Sequence, residues 1–287
     1  MRNHFRLCIL YRLPLRSIVV LYAACYYGFR CWAAGSIAAI ISSSFYSTYM
    51  STIFLNANWE QLIMMNYEVD PAILKPFLPK GTSLDTFDNR TLVSLVGFRF
   101  LKTNIFGIPA PFFGSFEEIN LRFYVKRTVD GVERRGVVFI NETVPFKAVA
   151  WLANKLYKEH YISIPTKHAI SQTGQTREVQ YDWKMNGNWN SMKVTAENTS
   201  QPMVAGSTEE FIFEHYYGYT KVNESQSQQY MVQHPGWEVY KVLDYAVDCD
   251  FKSVYGESFS NLSHQAPHSV FLAKGSAVSI DWEREDF

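Results

Sequence analysis

In the stretch FEEINLRFYV, residues 116 to 125, polar and apolar side chains alternate with a period of two, the signature of an extended strand. Glu118, Asn120, Arg122 and Tyr124 then share one face, and Ile119, Leu121, Phe123 and Val125 share the other. The apolar face is core. The polar face places a carboxylate, an amide, a guanidinium and a phenol in a row, about 6.5 to 7 Å apart. It is either a solvated face or the wall of a pocket.

The same pattern predicts strands over TSLDTF and TLVSLVGFRF, joined at Asp88 and Asn89. FEEINLRFYV pairs with RRGVVFINET across an Asp130-Gly131 turn, and REVQYDWK pairs with NSMKVTAE across Asn186-Gly187. KHAIS, QQYMVQHPGWEVY, KVLDYAVDCDF, SVFLA and AVSIDW also read as strands. Helical periodicity is rarer. DPAILKPF is a short helix with Asp70 as cap and Pro71 in the first turn. Residues 147 to 158 carry an apolar stripe at 148, 149, 151, 152 and 156. Ser207 and Glu210 form a capping box for a helix over 208 to 216. Many short strands with few helices predict a mainly β (α+β) fold: an antiparallel barrel or sandwich with peripheral helices.

Composition then divides the chain. Of 287 residues 47% are hydrophobic, enough for a substantial core, and 27 basic residues balance 27 acidic ones. No global field favours nucleic acid. Residues 1 to 58 nevertheless hold five Arg and no Lys, Asp or Glu, leaving 22 basic against 27 acidic residues in the remainder. Residues 17 to 41 are apolar apart from Arg30, with Arg2, Arg6, Arg12 and Arg16 ahead of them. A basic flank before an apolar run suits a membrane anchor, yet Arg30 splits it into pieces shorter than the roughly 20 residues that cross a bilayer. Two further readings are a start at Met50 and a cleaved signal peptide. Residues 1 to 49 are expected to lie outside the fold, and residues 50 to 287 to form a single domain. Cys249, alone beyond the front segment, is expected to be a buried thiol of a reducing, cytoplasmic compartment, membrane attachment through residues 17 to 41 being the alternative.

No glycine-rich phosphate loop, dinucleotide fingerprint, GxSxG, HExxH or CxxC occurs, and the histidines lack metal-ligand spacing on a predicted helix. Neither cofactor nor metal is expected. The chemistry must come from scattered side chains: His215 at the end of the third helix, His234 before Pro235, and Arg99 in an otherwise apolar strand, with Glu118 as its candidate partner. Trp59, Phe98, Tyr124, Tyr161 and Trp237 read first as core.

The runs NWEQLIMMNYEVDPAILKPFLPKG, FEEINLRFYV, YKEHYISIPTKHA, STEEFIFEHYYGYT and HPGWEVY, in this order over about residues 56 to 280, resemble the YqjF-like proteins, a bacterial family of unassigned function. That family is similar in fold to acetoacetate decarboxylase, which implies a barrel around a small-molecule cavity. The decarboxylase's reactive Lys-Lys pair follows a proline; here Thr166 holds the first position and Lys167 the second, so the pair is not intact. Its active-site glutamate lies on a strand like FEEINLRF, which points to Glu118. The resemblance therefore implies Glu118 and Lys167 as catalytic candidates, and His168, next to Lys167, is a third because an imidazole is readily tuned for proton transfer near neutral pH. Arg99, Asn120, Arg122, Tyr124, His215 and His234 are candidates for holding a ligand, anionic or carbonyl-containing. The expected function is small-molecule binding, with a lyase or related activity on a carbonyl or carboxylate compound and a non-catalytic binder as alternatives. A homo-oligomer remains open.

Overall fold

The computed structural model describes residues 52–287, so the readings of residues 1 to 49 as anchor, signal or untranslated segment lie outside the described residues. The first half holds β1 (Ile53–Glu68), β2 (Ser83–Leu84), β3 (Leu92–Ile105), β4 (Ile108–Pro109), β5 (Phe116–Val129) and β6 (Val132–Val144). Helix α1 (Lys147–Tyr157) leads to β7 (Tyr161–Ser163), β8 (Thr166–Thr173), β9 (Thr176–Met185) and β10 (Asn188–Pro202). There follow α2 (Thr208–Phe213), β11 (Tyr217–Lys221), β12 (Ser227–Gln233), β13 (Glu238–Asp248), α3 (Phe251–Tyr255) and β14 (Ser269–Asp286).

Seven strands close a barrel in the order β1-β3-β5-β6-β11-β12-β14, sealed by β1 pairing with β14 from Ile53 opposite Asp281 to Asn66 opposite Ser269. From β14 the sheet runs on through β13, β10, β9 and β8. Pairing is antiparallel throughout this path except where β11 joins β6, and β7 also lies parallel to β6. The outward side chains Leu95, Ile119, Leu121 and Phe123 pack with Val179, Tyr181, Trp183 and Val194 of β9 and β10, all fully buried. The barrel is thus sandwiched on one side by its own continuation. Inward side chains, among them Met64, Val96, Phe98, Phe116 and Tyr124, form a second core closed by Ala150 of α1 and Phe211, Ile212 and Phe213 of α2.

Both predicted hairpins form, and for the predicted reason. Asp130 and Gly131 (φ 50° and 79°) and Asn186 and Gly187 (φ 49° and 89°) adopt the left-handed conformations that a two-residue turn between twisted strands requires. The Ser207 hydroxyl accepts from the Glu210 amide as the capping box predicts, but α2 stops at Phe213, because the Tyr216 amide already bonds the Arg135 carbonyl on β6. His215 therefore lies between helix and strand and not at a helix end.

Three expectations need correction. TSLDTF turns at Asp88 and Asn89 as expected, through a single bridge from Phe87 to Arg90, but its strand β2 pairs with β5 and not with β3. SVFLA and AVSIDW are one strand, β14, continuous through Gly275 at φ 86°. The stripe on α1, expected to be buried, is a core face only in part: Val149, Leu152 and Leu156 are half-buried and pack against the core, whereas Ala148 and Trp151 are exposed, Trp151 by 61%. Periodicity reports which side is apolar, not whether protein or a hollow lies against it.

Candidate functional site

Since β5 lies in a closed barrel, its two faces meet opposite environments, and Glu118, Asn120, Arg122 and Tyr124 turn inward. Glu118 (3% exposed) and Asn120 (1%) are buried, and the Asn120 amide donates to Glu118 Oε1 at 3.0 Å. A row of inward groups crosses three strands at this level, with Asn120 opposite Glu142 on β6 and Glu142 opposite Tyr161 on β7. The Tyr161 hydroxyl donates to Glu118 Oε2 at 3.0 Å. A third acid, Glu159, lies just before β7 and accepts from Thr220 at 2.8 Å and from the Tyr230 hydroxyl at 2.9 Å. Tyr230 reaches inward because its partner across β11 is Gly218, where a Cβ would stand 2.1 Å from the Tyr230 ring.

Three buried carboxyls so close together cannot all ionise. Burial lifts Glu118 to about 7 against the bonds from Asn120 and Tyr161 and the Arg122 charge, which oppose it. Burial likewise lifts Glu159 to about 7, with the Glu118 charge adding to it. Glu142, buried with Oε2 unpartnered, is raised well above the usual range by burial and by the charges of Glu159 and Glu118. The three titrate as one coupled group. Burial also holds the Tyr161 and Tyr230 hydroxyls far above their ordinary values, so both remain proton donors.

Glu118, Glu159, Tyr161 and Tyr230 edge a cavity of about 340 Å³, with Thr103 and Tyr157 as further polar lining. Its other walls are hydrocarbon, including Phe54, Phe100, Phe116, Val149 and Leu152. A larger hollow of about 810 Å³ around residues 129 to 135 and α2 is an open surface groove, where Asp130, Glu133, Glu210 and Glu214 stand with Arg134 and Arg135. Tyr230 also lines a second, narrow space of about 30 Å³ with Arg122, His215, His234, Trp59 and Trp237. Among the described residues Arg122 has no carboxylate within salt-bridge distance: Nη2 reaches only Met64 Sδ at 3.8 Å, and the buried Nε has no partner there. His215 bonds Asp85 at 3.2 Å, and burial holds its ring below the ordinary value. Asp85, bonded by His215 and Arg135, is held down to about 2 although burial opposes this. His234 stacks on Trp237 at 4.3 Å. The barrel interior is therefore an acidic, apolar chamber beside a basic slot.

Of the residues named from sequence, six are brought into this interior: Glu118, Asn120, Arg122, Tyr124, His215 and His234. Tyr124 is tied to Ser94 and packs at 4.8 Å on His215. Three are not. Arg99 lies opposite Glu117 on β5 and Glu60 on β1, so it shares the outward face and cannot be the partner of Glu118. Lys167 and His168 are exposed on β8, which runs outside β5: Lys167 lies over the Trp189 ring at 4.4 Å, and His168 bonds Glu117. Thr166 also donates to Glu117, at 2.7 Å. No lysine lines the cavity among the described residues. Sequence reading missed Glu142, Glu159 and Tyr230, and took Tyr161 for core.

A family model described as an uncharacterized conserved protein, DUF2071, matches residues 56–277. The chain belongs to the DUF2071 family. The YqjF-like resemblance is thereby borne out. A search of curated proteins finds no match. Among solved structures this DUF2071 chain is similar to an acetoacetate decarboxylase-like enzyme from Sphingomonas wittichii RW1, with TM-score 0.57 and 11% identity over 82% of this chain and 93% of the other. It is similar also to acetoacetate decarboxylase from Legionella pneumophila, with TM-score 0.56 and 12% identity over 86% and 95%. The enduracididine biosynthesis enzyme MppR, solved with pyruvate, matches with TM-score 0.59 and 12% identity over 84% and 92%. At such identities the likeness establishes the acetoacetate decarboxylase-like barrel fold of this DUF2071 member and nothing about its chemistry. Among the described residues no helix is long and apolar enough to cross a membrane.

Proposed function

We propose that this protein binds a small carbonyl compound with an apolar body in the 340 Å³ cavity and moves a proton on the carbon next to that carbonyl. The observation that carries this reading is Glu118, a buried carboxyl lifted to about 7 at the edge of a hydrocarbon cavity and bonded by Tyr161 at 3.0 Å. A carboxyl that titrates near neutrality can take and return a proton at working pH. Beside it, Glu159 in its protonated form is a donor for the oxygen of the enol or enolate that results, while Tyr161 and Tyr230 hold the two carboxyls in place. The acid cluster disfavours a free carboxylate ligand in the chamber, while the guanidinium of Arg122 in the adjoining slot, which has no carboxylate partner among the described residues, is where a carboxylate would be tolerated. The pyruvate bound by the similar MppR supports a small oxo compound as the ligand class.

The absence of lysine from the cavity walls argues against an amine mechanism for this chain. Proton exchange at the carbon beside the carbonyl, followed by NMR in D2O over a panel of small ketones and oxo acids, tests the reading. The expected result is protein-dependent exchange, lost in Glu118→Gln, with no lysine adduct trapped by borohydride. A trapped adduct, or exchange unaffected by the substitution, would overturn it. The near-complete hydrocarbon lining supports a second reading, a non-catalytic binder. Calorimetric binding without exchange would select that one.

A further inference from the structure

We propose that the mouth of the cavity is a docking surface for an anionic lipid bilayer, so that an apolar ligand passes from membrane to barrel without crossing water. This deepens the reading of the cavity given above, and it is tested by a different measurement. Phe106 (49% exposed), Ile108 (70%), Phe112 (84%) and Trp151 (61%) are among the most exposed large apolar side chains of the described chain. They stand on two segments, residues 105 to 113 and helix α1, that meet at one place. Ile105, Ala110 and Phe113 from the first segment line the cavity together with Ala148, Trp151 and Leu152 from the second. The Phe113 ring lies 5.0 Å from that of Phe146 at the start of α1, and the Phe106 ring lies 5.4 Å from Phe54 in the cavity wall. Single exposed hydrophobics are ordinary; a set gathered around the opening of an apolar cavity marks an interaction site.

Charge selects the partner. Residues 101 to 113 contain Lys102 and no acidic residue, and residues 146 to 158 contain Lys147, Lys155 and Lys158 and no acidic residue. All four lysines are exposed. Beyond residue 58 the chain carries 22 basic against 27 acidic residues, so these two segments are cationic on an acidic body. The Lys155 ammonium lies 5.0 Å from the Trp151 ring, pairing an aromatic with a cation on a flexible stem. Aromatic side chains that enter the headgroup region, flanked by lysines that reach phosphate, form the combination by which peripheral proteins hold an anionic surface.

The test is hydrogen exchange, read by mass spectrometry on the full chain, with phosphatidylcholine vesicles that contain or lack phosphatidylglycerol. The expected result is slower exchange in peptides covering residues 104 to 113 and 147 to 157 with the anionic vesicles alone. The vesicle concentration needed for that protection should rise at least tenfold in Ile108→Ser/Phe112→Ser and in Lys147→Glu/Lys155→Glu. Protection confined to residues 1 to 51, equal protection by neutral vesicles, or peptides already protected without vesicles would each overturn the proposal. Ile108→Ser/Phe112→Ser should leave proton exchange on a water-soluble ketone unchanged, so a failure of docking and a failure of the cavity reading are told apart.

Discussion

Glu117 and Glu118 are neighbours on one strand, yet they belong to two different parts of the molecule. Glu117 faces the outer layer, where bonds from Thr166 and His168 outweigh the upward effect of its partial burial and hold its carboxyl below the ordinary value. Glu118 faces the barrel, where burial outweighs the bonds from Asn120 and Tyr161 and lifts it to about 7. A residue's chemistry here is set by which side of the sheet it faces and not by its identity. The contrast extends to the sequence candidates: Arg99, Lys167 and His168 fall with Glu117, and Arg122, His215 and His234 fall with Glu118.

The largest expected effect separates the two glutamates by function. Glu118→Gln should lower proton exchange on a small ketone by about 100-fold or more, the usual weight of a positioned acid or base. Glu117→Gln should change it less than about threefold, because that carboxyl faces away from the cavity. Equal losses in the two variants would remove the distinction between the faces.

The next effect is on stability. Glu118, Glu142 and Glu159 are all held above the ordinary 4.5, so between about pH 4.5 and 7 the fold binds more protons than the unfolded chain. Their contribution is complete below about 4.5 and is lost as pH rises through about 7. His215 and His234, held below the ordinary 6.5 by burial, act in the opposite sense as pH falls past that value. The informative quantity is therefore the difference between the parent and Glu159→Gln. By urea unfolding, the variant should gain on the parent by roughly 2 to 4 kcal/mol between pH 5 and 8, on the scale of 1.4 kcal/mol per pK unit. A constant difference across that range would mean Glu159 is not held protonated.

Much of this architecture was legible in the chain, because its cues are local. Asp130-Gly131 and Asn186-Gly187 can form only tight turns, and the alternation in FEEINLRFYV assigns Glu118, Asn120 and Arg122 to one face whatever lies beyond. Glu142 shows where locality ends. Counting back from the Asp130-Gly131 turn pairs Asn120 with Asn141 and sends Glu142 outward. In the structure Arg122 lies opposite Phe139 but Leu121 opposite Asn141, so Ile140 is an extra residue in the ladder, and Glu142 becomes the inward partner of Asn120. A bulge of one residue reverses the face of everything after it, and no period in the sequence announces it. Glu159 and Tyr230 were beyond reach for another reason: they meet only because β7, β11 and β12 converge across the barrel wall. Lys167 and His168 misled because a motif comparison conveys position along the chain but not the side of the sheet.

A smaller effect probes the outer layer. Glu117→Gln weakens its bonds with Thr166 and His168, and such a loss costs on the order of 1 kcal/mol. The sign of its pH dependence is opposite to that of the inner acids: a depressed carboxyl adds stability above the ordinary 4.5, lost as pH falls through its folded value. The deficit of Glu117→Gln should therefore be full at pH 7 and shrink in acid. A deficit that grows below pH 4.5 would contradict the assignment of Glu117 to the polar outer layer.

Lys167→Ala should have the smallest effect, and it bears most directly on the decarboxylase resemblance. Its ammonium lies 4.4 Å from the ring of Trp189, itself 44% exposed, an interaction worth about 0.5 to 1 kcal/mol in such a setting. Loss of that contact should move the urea midpoint only slightly and leave ketone proton exchange at the parent rate, since the side chain lies on the opposite side of β5 from Glu118. Were Lys167 the reactive amine, the same substitution would abolish turnover with little change in stability. The ratio of the two effects thus separates a lysine that merely occupies the aligned position from one that performs the decarboxylase's chemistry.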